Sequence, residues 1–332
     1  SYECTDGFLL PLSAGATIFF AENLRRLAEN MAETRTTAML GVPLLWHAMY
    51  KKIEAGLAEK ARQANAAKKL ADFAERCLRL NIRRKLFSKF HDRFGGCLRI
   101  FISGGAAVDP AVAKGFRELG IEFLQGYGLT ESAPIITVNR NRAFRDNSAG
   151  LPLPSVDVRI AEDGEILARG PNIMSGYYNN PDATREALQD GWLHTGDLGY
   201  IDESGFLYIQ GRKKSVIVTP AGKKIYPEEV EAELLKSPCI AECIVCGQPG
   251  EGDEEIVEAI VVPDREHPAF GGLNETEIVR LVQKEVKERC QKLASFKRVT
   301  KITVRFEELE KTTTKKIKRY MYTGKPPLQE NL

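Results

Sequence analysis

The segment Gly126-Tyr127-Gly128-Leu129-Thr130-Glu131 combines residue types that suit a nucleotide. Gly126 and Gly128 let the backbone approach a ligand closely, and the Tyr127 ring offers a flat face for a base. Thr130 is placed to donate to a phosphate oxygen, and Glu131 is a hard ligand suited to Mg2+. Taken alone, the same string also reads as a tight turn with an exposed acid. Further along, Gly191-Trp192-Leu193-His194-Thr195-Gly196-Asp197-Leu198-Gly199 sets Asp197 at the edge of a glycine-bounded turn. There its carboxylate suits the two hydroxyls of a ribose, with an Asx-turn as the plain alternative. Gly211-Arg212-Lys213-Lys214 and the run Lys311 to Arg319 add cations; a basic tail is otherwise solvated or a loose holder of nucleic acid. Cys239, Cys243 and Cys246 have the C-x3-C-x2-C spacing of an iron–sulfur ligand set. However, Ile240 to Gly247 reads as a buried strand, which turns Cys243 and Cys246 to opposite faces, and a cluster needs convergent thiolates.

These residues need elements to position them. Leu98 to Ser103 reads as a strand broken by Gly104-Gly105; Asp109 then caps a helix with Pro110 at its first position. The helix ends near Gly120, and Ile121 to Gln125 is the next strand. Ligands of open α/β sheets bind beyond the carboxyl ends of strands, where both Gly104-Gly105 and Gly126 to Glu131 fall. Upstream, Leu9 to Leu45 alternates short apolar runs with a helical stretch at Ala21 to Ala32, as in a layered α/β domain. Between residues 48 and 94 the pattern is helical, with Ala67, Leu70, Phe73, Ala74, Cys77 and Leu78 on one face. Thirteen Lys and Arg against five Asp and Glu leave this stretch with eight excess positive charges.

After Gly150 the texture changes to short strands with Gly, Pro and Asp turns, which predicts a small antiparallel barrel or sheet. The strands are Val156 to Ile160, Glu165 to Ala168, Leu198 to Asp202 and Phe206 to Gln210, the last two joined by Glu203-Ser204-Gly205. From Arg212 onward strands alternate with amphipathic helices at Glu228 to Leu235 and Thr276 to Leu293, which fits a small α+β domain.

A chain of 332 residues suits about two domains. Its net charge of +2 demands no polyelectrolyte partner. Seven scattered cysteines favour a reducing compartment, so a cytoplasmic location is expected. The longest apolar run, Leu9 to Phe20, is too short to span a bilayer and contains Pro11 and Gly15. No secretory signal pattern stands at the start, and opening at Ser1 reads as a processed or excised fragment.

In order along the chain, SGGAAV (103–108), GYGLTE (126–131), GEILARGPNIMSGYYNNPDAT (164–184), GWLHTGDLG (191–199), GRKKSVIV (211–218) and KTTTKKIKR (311–319) resemble the motifs of the adenylate-forming superfamily. That superfamily holds acyl-CoA synthetases, peptide-synthetase adenylation domains and luciferases. The resemblance implies an α/β fold: the back part of the large adenylate-forming domain at 1–149, carrying the helical insertion 48–94, a β-barrel subdomain at 150–211, and a small α+β lid domain at 212–332. It implies that Gly104, Gly105 and Ala106 line the adenine pocket, that Tyr127 stacks on the base, and that Gly126 and Gly128 flank it. Thr130 would hold the α-phosphate, Glu131 the Mg2+, and Asp197 with Arg212 the ribose hydroxyls. Lys214 matches the hinge before the lid, Gly222 the tunnel for the thiol arm of coenzyme A, and Lys316 the lid lysine that reaches the reacting carboxylate.

The implied reaction consumes ATP, a carboxylic acid and coenzyme A. The insertion and the form IVTPAGKKI (217–225) look like bacterial long-chain fatty acid enzymes. The basic helical face reads as a solvated decoration or as a surface attracted to anionic lipid, which would place the enzyme peripherally on the inner face of the membrane. Nucleic acid is not an expected partner, since only Phe73, Phe87 and Phe90 interleave the basic residues. A fatty acyl-AMP ligase, an aryl-CoA ligase, or a non-catalytic nucleotide- or membrane-binding module stand as alternatives.

Three departures stand out. Lys315 replaces the glycine that usually precedes the lid lysine, which leaves Lys315 and Lys318 as competitors for the role of Lys316, and Ala221 replaces one of two glycines before Lys223. The Ser/Thr/Gly-rich phosphate loop of the family occurs nowhere in the sequence. The chain is therefore expected to be the carboxyl-terminal part of a longer enzyme and to make no acyl-CoA alone. An uncovered sheet edge is expected to favour self-association.

Overall fold

The computed structural model describes residues 2–58, 61–219, 221–250, 255–312 and 317–323. The chain divides into two compact units, Ser1–Thr195 with Gly199–Ile209, and Gly196–Leu198 with Gln210–Leu332.

In the first unit, α1 (Leu27–Thr34) buries Leu27 and Met31, one turn apart on the same face. It starts later than the predicted stretch 21–32. The Asn23 side chain accepts from the amides of Arg25 and Arg26, a local turn that competes with helix. Strand β1 (Ala38–Gly41) leads into α2 (Pro43–Ala58) and α3 (Ala61–Leu78). Strand β2 (Ile100–Ser103) is followed by α4 (Pro110–Glu118) and β3 (Glu122–Tyr127). The Asp109 carboxylate accepts from the Ala111 amide at 2.8 Å, the predicted cap. Strands β1, β2 and β3 are parallel and in register, Gly41 with Ser103 and Ser103 with Gln125. Strands β4 (Thr137–Val138) and β5 (Leu151–Pro152) extend the sheet antiparallel beyond β3. Within this sheet β1 is an edge.

The core of this layer is aromatic. Trp46 from α2 is fully buried, 4.6 Å from Phe101 and 5.7 Å from Phe123 between ring centroids, and Phe116 from α4 stacks on Phe123 at 5.7 Å. Rings of this size bury the most apolar area per residue, and they lock two helices onto one face of the parallel strands. The apolar face predicted for α3 behaves differently: Ala71 and Ala74 are buried, whereas Leu70, Phe73 and Leu78 are 52%, 59% and 59% exposed. Alanine allows the helix to sit close on its neighbours, and that rotation turns the larger residues outward.

The second sheet has the order β10-β9-β7-β6, from β6 (Asp157–Ile160), β7 (Glu165–Arg169), β9 (Trp192–Ile201) and β10 (Leu207–Arg212), with β8 (Leu188–Gln189) also pairing with β9. Helix α5 (Pro181–Ala187) precedes β8. The turn at Glu203-Ser204-Gly205 is present, with the Asp202 carboxylate accepting from the amides of Ser204 and Phe206. Strand β9 begins six residues before the predicted Leu198, so the stretch around Asp197 is strand rather than turn.

The second unit carries a hairpin of β11 (Ile217–Val218) and β12 (Lys224–Ile225), then α6 (Pro227–Leu234). A sheet follows of β13 (Ile240–Pro249), β14 (Glu255–Pro263) and β15 (Lys301–Val304), with α7 (Glu275–Cys290) between the last two strands. The β13–β14 pair is antiparallel and β14–β15 parallel. Helix α7 opens with a reciprocal cap in which Asn274 and Glu277 satisfy each other's amides. Cys243 and Val245 pack with Val230, Leu234, Val282 and Val286 on one face of the sheet. Ile244 and Cys246 pack with Leu309 on the other. Cys243 and Cys246 therefore lie on opposite faces, as the strand period requires.

Candidate active site

The candidate site residues fall in separate units. In the first unit, parallel pairing sets the carboxyl ends of β2 and β3 side by side. Beyond β2, Gly104 is buried, and a Cβ there would come within 2.9 Å of the Tyr2 ring. Gly105 has φ +87°, a conformation that L side chains rarely adopt, and is exposed with open space above it, as is Ala106. The side chain of Gln125 ties this end together. Its amide group donates to the carbonyls of Asp146 and Ser148 at 2.8 and 2.9 Å, while its carbonyl oxygen accepts from the Val108 amide at 3.4 Å.

Beyond β3 the structure corrects one expectation. Gly126 and Tyr127 belong to the strand, because Val138 and Thr137 of β4 pair with them. The Tyr127 ring is half-buried and packs on the cluster of Ile136, Val156 and Ala168. At Gly128 the close neighbour is the chain itself, since a Cβ would lie 1.7 Å from the Pro134 carbonyl oxygen. The glycine thus serves the return of the chain from the turn into β4.

Thr130 to Ser132 form a single 3-10 turn on which Thr130 is exposed. The Ser132 hydroxyl accepts from the Leu129 amide at 2.9 Å and donates to the Pro134 carbonyl at 2.8 Å. Asn172 donates to the carbonyls of Ser132 and Ile135, at 2.9 and 2.8 Å, and the Met174 amide donates to the Glu131 carbonyl at 2.8 Å. These bonds hold the turn and leave the Thr130 side chain exposed and that of Glu131 partly exposed. Glu131 Oε1 accepts from the Tyr177 hydroxyl at 2.8 Å. Among the described residues, Oε2 has no hydrogen-bond partner. Burial, and then the Glu131 carboxylate, push the Tyr177 phenol up to about 12, so it is a donor throughout the neutral range.

In the second unit, Asp197 is buried and Arg212 exposed, and Arg212 Nε donates to Asp197 Oδ1 at 2.9 Å. The two residues expected at the ribose are thus brought together. Next to them lies Glu228. A Cβ on Gly211 would meet its Oε2 at 2.6 Å, and that buried oxygen has no hydrogen-bond partner among the described residues. Lys214 sits exposed in the 3-10 turn Lys213–Ser215. Gly222, with φ +72° and open space around it, turns the β11–β12 hairpin, where its amide donates to the Thr219 carbonyl at 2.8 Å.

Lys316 and Lys315 lie outside the described residues. On either side of them, Lys311 and Ile317 pair as an antiparallel bridge. Lys311 is engaged by Glu242 and Glu308. Arg319 donates to the Val245 carbonyl at 2.7 Å and pairs with Glu231 at 2.8 Å, which fastens the tail to β13.

Sequence reasoning missed Gln125, Asn172 and Tyr177. Asn172 and Tyr177 lie inside the quoted 164–184 motif, but their partners are 37 to 46 residues away in sequence, and spacing carries no signal over that range.

Residues 1–178 match the model of the AMP-binding enzyme family, and residues 229–316 match that of the AMP-binding enzyme C-terminal domain. The long-chain-fatty-acid–CoA ligase FadD15 of Mycobacterium bovis is 35% identical over 245 residues, 70% of this chain and 41% of the relative. The 2-succinylbenzoate–CoA ligase of Bacillus cereus strain ATCC 14579 is also 35% identical, over 271 residues, 75% of this chain and 53% of the relative. The chain thus spans about half the length of the curated relatives it matches. In fold it is similar to o-succinylbenzoate CoA synthetase of Bacillus subtilis in complex with its acyl-adenylate intermediate, with a TM-score of 0.72 at 24% identity over 96% of this chain and 57% of that one. The anthranilate CoA ligase AuaEII in complex with anthranoyl-AMP gives a TM-score of 0.69 at 22% identity, over 96% of this chain and 56% of that one. With more than half of its length matched by the family model, and a fold shared with these enzymes, the chain belongs to the adenylate-forming acyl-CoA synthetase superfamily of AMP-binding enzymes.

Proposed function

We propose that this chain is the carboxyl-terminal part of a long-chain acyl-CoA ligase. In the first half-reaction a carboxylate oxygen of the fatty acid attacks the α-phosphorus of ATP, and the bond from that phosphorus to the pyrophosphate oxygen breaks. In the second, the sulfur of coenzyme A attacks the acyl carbon, the thiol proton is lost, and AMP departs with the bond electrons. The observation that carries the reading is the turn after β3, where Thr130 is exposed and Glu131, steadied by Tyr177, keeps one carboxylate oxygen without a protein partner among the described residues.

That arrangement suits Mg2+, which is bound through one or two carboxylates together with substrate phosphates. Among the described residues no group of three or more His, Cys, Asp or Glu gathers to hold a metal by itself. Glu131 would hold the ion, whose chemistry is to neutralise phosphate charge. Thr130 donates to an α-phosphate oxygen. Tyr127 presents a ring already fixed on one side by apolar packing, so stacking a base on it costs little ordering entropy. Asp197 accepts from ribose hydroxyls, with Arg212 fixing its carboxylate. Lys316 brings an ammonium to the α-phosphate, where charge concentrates in the transition state. Lys214 is the hinge residue, and Gly222 leaves room for the thiol arm.

A second reading, an aryl carboxylate as the acid, is supported by the equal identity to 2-succinylbenzoate–CoA ligase. Pyrophosphate release by the whole enzyme and its Lys316→Ala variant separates the readings. The acids are a series of fatty acids and 2-succinylbenzoate, each with and without coenzyme A. Release that needs a long fatty acid, yields acyl-CoA and is lost in the variant supports the proposal. Release with 2-succinylbenzoate alone favours the second reading, acyl-AMP without acyl-CoA makes it an acyl-AMP ligase, and no release with any acid refutes the catalytic reading.

A further inference from the structure

Helix α3 presents an apolar stripe that the fold does not use. Ala66, Leu70, Phe73 and Cys77 recur at the four-and-three spacing of a single helix face. All four are exposed, Leu70 by 52% and Phe73 by 59%. The packed face is a different one, centred on Ala71 and Ala74, which are 1% and 3% exposed.

Cations predominate along one side of the stripe. Arg62, Lys69 and Arg76 follow one another seven residues apart, a row beside the stripe, and all three are exposed without a salt bridge among the described residues. Asp72, three residues after Lys69 and four before Arg76, shares that flank and is 53% exposed, but its charge is taken up locally. Asp72 and Glu75 are both bound by Arg83, at 2.6 and 2.9 Å, and Lys68 is paired with Glu118 at 2.7 Å. The outward surface of α3 is therefore a row of apolar side chains bordered on one side by cations, with the acid among them neutralised by Arg83.

We propose that this face of α3 docks on the surface of an anionic lipid leaflet. Leu70 and Phe73 enter the boundary between headgroups and acyl chains, while Arg62, Lys69 and Arg76 meet the headgroup phosphates. An amphipathic helix with cations flanking its apolar face lies in the interface plane, and each cation near an anionic leaflet strengthens binding about fivefold. Among the described residues no helix is long and apolar enough to cross a membrane, so the contact is peripheral. The proposal does not depend on the ligase reading.

The test uses the 332-residue chain and vesicle flotation, with vesicles of phosphatidylcholine alone or mixed with phosphatidylglycerol. Binding to the mixed vesicles, weakened by salt and absent from the neutral ones, is expected. Leu70→Ser with Phe73→Ser should lower it at least tenfold. Arg62→Gln, Lys69→Gln and Arg76→Gln together should lower it on the order of 100-fold. None of these changes touches Ala71 or Ala74, so the circular dichroism spectrum and thermal midpoint should hold. Phe20→Ser with Leu24→Ser, on another exposed apolar segment, should leave flotation intact. No flotation, equal flotation with neutral vesicles, or flotation that survives Leu70→Ser with Phe73→Ser overturns the proposal. Lipid-free self-association that those same two changes abolish assigns the stripe to a second copy of the chain, and overturns it as well.

Discussion

Gly128→Ala is a small change placed where the backbone has no room. The new methyl would lie 1.7 Å from the Pro134 carbonyl oxygen and 2.9 Å from Ile135 Cα. An ordinary carbon–oxygen contact is about 3.3 Å, so the returning chain must retreat by roughly 1.6 Å. That retreat strains the Ser132 hydroxyl bond to Pro134, at 2.8 Å, and the Ile136 amide bond to Tyr127, also 2.8 Å. Overpacking against backbone costs about 2 kcal/mol, and two weakened hydrogen bonds add about 1 kcal/mol each. Gly128 is not in a left-handed conformation, so alanine returns about 0.7 kcal/mol by restricting the unfolded chain. The net loss is about 3 kcal/mol. For a unit of roughly 200 residues that lowers the melting temperature by about 6–12 °C. The assay is thermal unfolding of this chain together with hydrogen exchange. The Ile136 amide should lose protection, while amides of β13 and β14, in the other unit, should not change. A variant that melts within about 2 °C of wild type and keeps Ile136 protected would refute the claim that this glycine exists for close approach of the chain.

Three more expectations bear on the site and the surface. Tyr177→Phe removes a charge-assisted hydrogen bond worth about 1 kcal/mol at a partly exposed position. In the whole enzyme kcat/KM for MgATP should fall about fivefold and the Mg2+ requirement should rise, by a ratio constant over the neutral range because the phenol keeps its proton up to about 12. An unaltered Mg2+ dependence would count against Glu131 as the metal ligand. Burial, outweighing Arg319, raises the Glu228 carboxyl above its ordinary value. The folded chain therefore binds that proton more tightly than the unfolded one, which ionises near about 4.3. Stability from this group is fully present below that pH and declines as pH rises through the folded value. Glu228→Gln should accordingly stabilise the second unit at neutral pH and leave it unchanged near pH 4, as read by denaturant melts; a loss at neutral pH would show that the Arg319 pairing dominates. Phe20 and Leu24 are 78% and 73% exposed. Replacing both by serine should reduce binding of an apolar dye by about twofold with a stability change within about 0.5 kcal/mol, and unchanged dye binding would mean that the patch lies elsewhere.

Local chemistry was legible from the residues alone. The Asp109-Pro110 start of α4, the hairpin at Glu203-Ser204-Gly205 and the opposed faces of Cys243 and Cys246 follow from capping, turn and strand periodicity, which act over a few residues. The ordered motifs carried the family in the same way, because each is a contiguous string. Tertiary structure decided what depends on partners distant in sequence. Gly126-Tyr127 became strand because β4 returns to pair with them, and Asp197 became strand because β9 extends back to Trp192. Tyr177 reached Glu131 across 46 residues. Gly128, read as space for a ligand, is filled by Pro134. On α3 the apolar spacing indicated a helix with an apolar side, but which side packs was settled by the fit of Ala71 and Ala74 against neighbouring elements. Periodicity specifies that a face exists; only the shape of what lies opposite determines whether that face is buried.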